Sequence, residues 1–276
     1  MDPFRTAVQL YKDQLGQPGT GLQVRKAAVG QTLLAPIVYT RTRSLAIARS
    51  VLRQRRVMAA YDKGSFVDAI KILRTQVLHR LRENNWNVLG VTSPGHGEGK
   101  TLTAVNLAVS LAMEMTQTVL LVDANLRNPS VHEVFGLKDC PGLADYLLDD
   151  QPVEDLLVHP GIGRFVLLPG GRAISNPTEL LTSPKMIGLI EELRDRYPSR
   201  IIIFDLPPLL HTADVLGFSP YTDALLLVVE EGKTTVEDVQ RAMSLVKNTC
   251  PVLGTVLNKA GQMDTTPASM RKLLGQ

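Results

Sequence analysis

Short runs of consecutive apolar residues recur along the later two thirds of the chain and alternate with segments of helical spacing. We expect buried strands at residues 88–92, 118–122, 165–168, 201–204, 224–229 and 252–257, and helices at 101–115, 184–197 and 235–248. Continuously apolar strands that alternate with helices are typical of a parallel sheet covered on both faces. The pattern therefore predicts an α/β fold with a doubly wound parallel sheet flanked by helices.

The first quarter of the chain has a different pattern. Apolar residues at 67, 70, 73, 77 and 81 have the spacing of one helix face, which predicts a helix over 66–83. Residues 41–60 mix apolar positions with many arginines and suit a basic amphipathic helix, and the scattered glycines of 1–40 favour weak order. We therefore divide the chain into a partly flexible basic extension, 1–63, and a nucleotide-binding domain, 64–276.

The two parts of the chain differ in charge, although the net charge of the whole chain is small. The net charge is only +3, but residues 1–62 hold ten Lys or Arg against three Asp. Such a segment can meet anionic lipid, nucleic acid or an acidic protein, or it can be a solvated arm. Two cysteines, Cys140 and Cys250, do not suggest a disulfide framework. Without a signal-peptide core or an apolar run of about 20 residues, a cytoplasmic protein is expected.

The strongest chemical signal is a glycine-rich loop between the first core strand and its helix. The segment SPGHGEGKT ends in Gly99, Lys100 and Thr101, as a phosphate-binding loop requires, although Pro94 stands where the leading glycine is expected. Inward-facing amides and the helix N-terminus suit phosphate oxygens. Lys100 suits the β and γ phosphates, and the Thr101 hydroxyl suits Mg²⁺. This loop predicts that ATP and Mg²⁺ bind here.

Polar residues follow three further strands at the edge of the sheet where such folds bind ligands. Asp123 and Asp205 each end an apolar run and suit a metal or the activation of a nucleophile. Asn258 ends the last strand and can pair with the edge of adenine, although a turn role explains it equally well. The predicted nucleotide-binding residues are Gly95, His96, Gly97, Glu98, Gly99, Lys100, Thr101, Leu102 and Asn258; the predicted metal ligands are Thr101, Asp123 and Asp205.

Taken together, the loop ending in GKT and the segments VDANLRNPSVHEVFG and IIIFDLPPLL resemble the bacterial tyrosine kinases of capsule and exopolysaccharide synthesis, over about residues 64 to 260. The family's second motif is Asp-x-Asp-x-Arg followed by Pro-Ser, and its third is Asp-x-x-Pro. The matching residues are Asp123, Arg127, Pro129, Ser130, Asp205 and Pro208. The N-terminal extension and the segment EEGKTT are similar to the exopolysaccharide branch of the family.

The resemblance implies ATP-dependent phosphorylation of tyrosine between neighbours in a ring, with Lys100, Asp123, Arg127 and Asp205 as the catalytic set. Asp123 would help to deprotonate the attacking hydroxyl, and Asp205 would position the metal. The family's Glu-x-x-Arg-x-x-Arg assembly motif corresponds to Asp68, Lys71 and Arg74, which implies a homo-oligomer. The implied partner is a separate membrane-embedded chain-length regulator, which leaves peripheral contact with the membrane open and makes nucleic acid the less favoured partner.

Two departures from the family pattern keep alternatives open. Asn125 replaces the second Asp of the second motif, and an amide cannot act as a base. The tail after Tyr221 contains no tyrosine, so self-phosphorylation of a C-terminal cluster is not expected; Tyr11, Tyr39 and Tyr61 are candidate substitutes. A catalytically weak ATP-dependent regulatory subunit is therefore the first alternative. A partition or septum-site ATPase is the second, although those proteins carry a lysine where this chain has Gly95.

Overall fold

A computed structural model describes residues 42–59, 63–114, 117–196 and 200–261. Within them lies an eight-stranded sheet with the order β1-β4-β5-β3-β6-β2-β7-β8. The strands are β1 (Arg43–Ser44), β2 (Val88–Thr92), β3 (Thr118–Asp123), β4 (Val158–His159), β5 (Phe165–Leu168), β6 (Arg200–Asp205), β7 (Ala224–Glu230) and β8 (Val252–Asn258).

The helices cover both faces of this sheet. In chain order they are α1 (Arg49–Gln54), α2 (Ser65–Asn84), α3 (Lys100–Ala112), α4 (Val131–Val134), α5 (Leu143–Asp149), α6 (Val153–Leu156), α7 (Thr178–Leu181), α8 (Pro184–Arg196), α9 (Asp214–Phe218) and α10 (Val236–Val246), with a 3₁₀ turn at Ser219–Tyr221. No helix in the described part of the chain has both the length and the apolar character that crossing a bilayer requires.

The predicted fold class is confirmed, with one addition at the sheet edge. Strands β5, β3, β6, β2, β7 and β8 run parallel, as predicted. Strand β4 runs antiparallel to β5, and β1 pairs parallel to β4. Strands β1 and β4 have only two residues each, which is too short to produce a periodic pattern in the sequence.

Side-chain alternation along the central strands separates two cores. Leu120 of β3 belongs to the core on one face, and Leu121 belongs to the core on the other. Both are fully buried, as are the neighbouring residues Ile202 and Ile203 of β6. Helices on both faces bury every side chain of such strands, which explains their continuous apolar runs.

Residues 42–59 form a strap that packs on the same body as the central sheet. Leu52 and Val57 are each 1% exposed and join the core on the α3 side. The helix in this segment, α1, has six residues and is shorter than the amphipathic helix expected over 41–60. The remainder of the predicted extension, residues 1–41 and 60–62, lies outside the described residues, and so do Tyr11, Tyr39, Tyr61 and the tail from residue 262.

A single buried asparagine fastens the strap to α3. The Asn106 Oδ1 accepts hydrogen bonds from the backbone N–H groups of Met58 (3.0 Å) and Ala59 (3.2 Å). Its Nδ2 donates to the carbonyls of Arg56 and Leu102, both at 3.0 Å. All four hydrogen-bonding positions of the amide are thereby used, as a fully buried amide requires.

Candidate nucleotide and phosphoryl-transfer site

The loop of residues 93–99 connects β2 to the N-terminus of α3, as predicted. Gly97 (φ 75°) and Gly99 (φ 89°) adopt left-handed backbone conformations that favour glycine. A Cβ atom on Gly99 would lie 2.0 Å from the Asn258 Nδ2, so a larger residue here would have to displace the Asn258 side chain. The glycines of the motif therefore serve the turn and its close contact with β8.

Two lysines to which the sequence analysis assigned no role hold the outer side of this loop; Lys233 belongs to the segment EEGKTT, and Lys259 follows β8. The Lys233 Nζ donates to the His96 carbonyl at 2.6 Å, and the Lys259 Nζ donates to the Gly97 carbonyl at 2.8 Å. Both ammonium groups also contact Glu230, at 3.4 and 2.9 Å. Hydrogen bonds and ion pairs with Lys259 and Lys233 lower the pKa of the Glu230 carboxyl. No motif relates these residues, because they come from two separate strand ends.

Asn258 and Glu98 complete the support of the loop. The Asn258 Nδ2 donates to the Glu98 carbonyl at 2.9 Å. The Glu98 side chain is buried, where it accepts from the Gly95 N–H (2.8 Å) and from the Thr234 hydroxyl. The structure thus gives both side chains a role within the loop. The prediction that Asn258 pairs with adenine, and that Glu98 contacts nucleotide, stays a prediction.

The first turn of α3 faces the end of β6. The Thr101 Oγ1 donates to the Asp205 Oδ2 at 2.7 Å, and the Lys100 Nζ lies 3.6 Å from the Asp205 Oδ1. Asp205 is fully buried, and that burial raises the pKa of its carboxyl, although Lys100 and Thr101 oppose the change. The Asp205 Oδ1 accepts no hydrogen bond from the described residues.

Asp123 lies beside Asp205 on the adjacent strand, in direct register. Its Oδ2 accepts hydrogen bonds from the backbone N–H groups of Ser130 (2.8 Å) and Val131 (2.9 Å). Burial and the neighbouring Asp205 carboxylate raise the pKa of Asp123 to about 7, although these N–H groups and Lys100 oppose the rise. The structure therefore brings Lys100, Asp123 and Asp205 together, as the strand-end pattern predicted.

This group of side chains fits a divalent cation. The described residues contain no cluster of three or more His, Cys, Asp or Glu side chains that could hold a metal alone. Mg²⁺ prefers a few protein oxygens together with water and substrate phosphates. Thr101 offers a hydroxyl, Asp123 and Asp205 offer carboxylates, and the Asp205 Oδ1 is a buried acceptor without a donor. A cation at this point would satisfy that oxygen.

Arg127 is engaged away from these carboxylates. Its guanidinium forms two hydrogen bonds with the fully buried Asp214, at 2.7 and 3.0 Å, and a third with the Ser175 carbonyl at 2.6 Å. The hydrogen bond with Asp214 raises the pKa of Arg127. Asp214 also accepts from the Thr178 hydroxyl. In this arrangement Arg127 joins the loop after β3 to α7 and α9, and its predicted catalytic role is untested.

The residue that departs from the family motif, Asn125, belongs to the loop that Asp123 organises. Its backbone N–H donates to the Asp123 Oδ1 at 3.2 Å, and its Nδ2 donates to the Asn128 carbonyl at 3.2 Å. Asn125 is 7% exposed. Its side-chain amide therefore stabilises the turn that precedes α4.

His96 meets an imidazole that the motifs did not single out. The rings of His96 and His211 have centroids 4.7 Å apart. They are adjacent because the Leu209 and Leu210 N–H groups donate to the carbonyls of Ser93 and Pro94, which aligns the two loops. Burial, His211 and the cations of Lys100 and Lys233 lower the pKa of His96, although Glu98 opposes the change.

The predicted assembly residues lie on α2. Asp68 and Lys71 form an exposed ion pair at 3.3 Å. Arg74 contacts the Glu114 carboxylate at 3.0 Å and donates to the Ser110 carbonyl at 3.3 Å. Arg74 therefore binds the C-terminal end of α3 within one chain, and the prediction that the three residues mediate assembly is untested.

The chain is similar to known proteins in both sequence and structure. None of the protein-family models compared with the chain matches it. The tyrosine-protein kinase YwqD of Bacillus subtilis is 34% identical over 208 residues, which cover 74% of this chain and 86% of YwqD. The tyrosine-protein kinase etk of Escherichia coli K12 is 31% identical over 195 residues, which cover 70% of this chain but only 26% of etk.

Solved structures give a consistent result. The kinase domain of the E. coli tyrosine kinase ETK has a TM-score of 0.69 at 27% identity, covering 83% of this chain and 91% of that domain. The septum site-determining protein MinD of Pyrococcus horikoshii, complexed with Mg-ADP, has a TM-score of 0.53 at 25% identity, covering 68% and 76%. The kinase domain is therefore the more similar of these two.

Proposed function

Because the chain belongs to the family of bacterial tyrosine-protein kinases, we propose that it transfers phosphate from ATP to protein tyrosine in exopolysaccharide or capsule synthesis. The observation that carries this proposal is the convergence of Lys100, Thr101, Asp123 and Asp205 beside the glycine-rich loop. A cation, a hydroxyl and two carboxylates at a helix N-terminus suit a nucleotide triphosphate and its metal. The exopolysaccharide role is supported by the motifs that resemble that branch of the family.

Each residue at the convergence has a distinct proposed role. Lys100 would leave Asp205 to hold the β and γ phosphates, and Thr101 and Asp205 would hold Mg²⁺. When bound, Mg²⁺ supplies neutralisation of the charge that develops on the transferred group. Of the residues predicted from Gly95 through Leu102, those from 96 onward would offer their amides to the phosphates, since the Gly95 N–H donates to Glu98.

Asp123 is the proposed group that accepts the tyrosine proton. A carboxyl with a pKa of about 7 is suited to hold and release a proton near neutral pH. The hydrogen bonds from Ser130 and Val131 fix the orientation of that carboxyl. For Arg127 to contact a phosphoryl group, it would have to leave the buried Asp214.

The catalytically weak regulatory subunit is the second candidate, and Asn125 favours it. Where the family motif has Asp, Asn125 is neutral, so the loop beside Asp123 and Asp205 has one negative charge fewer. Hydrogen bonds to Asp123 and Asn128 hold Asn125 in this loop. Such a subunit would bind ATP and assemble through Asp68, Lys71 and Arg74 without phosphorylating tyrosine. A septum-site type of ATPase is less well supported, because Gly95 stands where that class carries lysine.

The proposed location is the cytoplasm, next to a separate membrane chain-length regulator that stimulates the kinase. This assignment rests on family membership. Peripheral contact with the membrane belongs to the same proposal, through the basic extension or through the partner. Nucleic acid is not part of it.

Mass spectrometry of the purified chain after incubation with Mg-ATP tests the proposal. Phosphotyrosine is expected in the unmodified protein and not in the matched Lys100→Met variant, with or without a membrane partner. ATP-dependent assembly without phosphotyrosine would favour the regulatory subunit. A calorimetric titration that detects no binding of Mg-ATP would exclude both functions.

A further inference from the structure

Three consecutive carbonyl groups of the glycine-rich loop each accept a hydrogen bond from a side chain outside the loop. The donors are Lys233 for His96, Lys259 for Gly97 and Asn258 for Glu98. In a trans peptide the N–H points opposite to the carbonyl of the same plane. Fixing these carbonyls therefore fixes the N–H groups of the next residues, 97, 98 and 99, toward the other side of the loop.

The contacts matter because the loop has unusual conformational freedom. Gly97 and Gly99 both adopt positive φ values, 75° and 89°, separated by one residue. Glycine crosses between positive and negative φ at little cost, so the peptide planes around Gly97 can flip. A flipped plane would point a carbonyl oxygen at the place where phosphate is expected. Repulsion of the phosphate would then weaken nucleotide binding.

The two lysines reach the loop in an arrangement that includes an energetically unfavourable backbone conformation and a shared carboxylate. Lys259 itself adopts a left-handed backbone conformation, with a φ of 57°, at the end of β8. Non-glycine residues adopt that conformation infrequently and at an energetic cost. Lys233 follows β7, and Glu230 binds both ammonium groups. The Glu230 carboxylate is thus shared by two lysines that come from different strand ends and bind adjacent carbonyls.

We propose that Lys233 and Lys259 are positioning residues for the nucleotide, which hold the peptide planes at 96–97 and 97–98 with their N–H groups toward the phosphates. The inference rests on the proposed function, since it concerns the same nucleotide. The two lysines act through the backbone. Because Glu230 offsets part of their charge, attraction of phosphate at long range is a secondary effect.

The test measures nucleotide binding by the full chain with a fluorescent ATP analogue and Mg²⁺. The variants are Lys233→Met, Lys259→Met and the double variant. The matched control is Lys247→Met, which removes an exposed lysine at the end of α10. Loss of one charge-assisted hydrogen bond at the loop is expected to raise the Kd about tenfold in each single variant. The control should bind as the unmodified protein does.

Two further measurements separate positioning from general stability. The urea midpoint without nucleotide should change little in either single variant, because both side chains are about half exposed. In phosphoryl transfer, KM for ATP should rise while kcat at saturating ATP stays within about twofold. The Lys259→Arg variant, which keeps a donor and the charge, should retain most of the affinity.

The outcomes distinguish this inference from the proposed function. An unmodified protein that binds the analogue, with variants that bind it equally well, overturns the positioning role alone. The positioning role is also overturned if the affinity for the analogue falls only in proportion to the loss in the free energy of unfolding. An unmodified protein that binds no nucleotide overturns the proposed function and the inference with it.

Discussion

Replacement of Asp123 by asparagine should change how the stability of the nucleotide-free protein depends on pH. Asp123 is fully buried beside Asp205, and its pKa is raised from 3.8 to about 7. In the unfolded chain this carboxyl loses its proton near pH 4, whereas in the folded chain it keeps the proton until about pH 7. Between these values the folded state binds more protons, so rising pH lowers the free energy of unfolding.

The magnitude follows from the two pKa values. Between pH 5 and pH 8, this one group accounts for a loss of about 2–3 kcal/mol in the free energy of unfolding. An asparagine is neutral throughout, and its Oδ1 can still accept from the Ser130 and Val131 N–H groups. The Asp123→Asn variant should therefore gain about that much relative to the unmodified protein as the pH rises through this range.

Urea unfolding at pH 5, 6, 7 and 8, without Mg²⁺ or nucleotide, measures the difference between the two proteins. Replacement of the exposed Asp155 by asparagine is the matched control for the loss of one carboxylate. Addition of Mg-ATP at pH 8 should stabilise the unmodified protein more than Asp123→Asn. A difference that is constant from pH 5 to pH 8, or that favours aspartate as the pH rises, would refute the reasoning.

Three other predictions address the loop, the strap and the imidazole. Gly99→Ala should weaken nucleotide binding in a titration, because a φ of 89° is strained for alanine and its Cβ would displace the Asn258 amide, which lies 2.0 Å away; unchanged affinity would contradict this. Asn106→Ala should lower the free energy of unfolding in urea by about 2–4 kcal/mol, because buried strap and helix groups lose their partners; an unchanged midpoint would be contrary evidence. His96→Gln should bind nucleotide normally at pH 7.5 and more weakly than the unmodified protein only below about pH 6.5, because the pKa of His96 is lowered; a difference that is already full at pH 7.5 would count against it.

The central strands and the main helices were predictable because their signals are local. The expected strands at 88–92 and 165–168 coincide with β2 and β5, since each apolar run is bounded by polar or turn residues. The meeting of Lys100, Asp123 and Asp205 was also predictable. Parallel strands place their carboxyl ends at one edge, so residues that follow different strands become neighbours.

Contacts between distant loops were not predictable in this way. The partnership of Arg127 with Asp214 joins residues 87 positions apart, and no spacing rule connects them. The lysines at 233 and 259 meet adjacent carbonyls only after β7 and β8 have paired. The strap was missed because its two buried side chains, Leu52 and Val57, lie among exposed arginines that dominate the local composition.

The strap sets a practical limit on how far the chain can be shortened. A fragment that starts at residue 64 would lack Leu52 and Val57 and would leave one flank of α3 uncovered. It would also leave the Asn106 amide without three of its four partners. Such a fragment would expose an apolar groove along the helix that begins with Lys100. Aggregation of the purified fragment through this groove would then be mistaken for physiological oligomerisation.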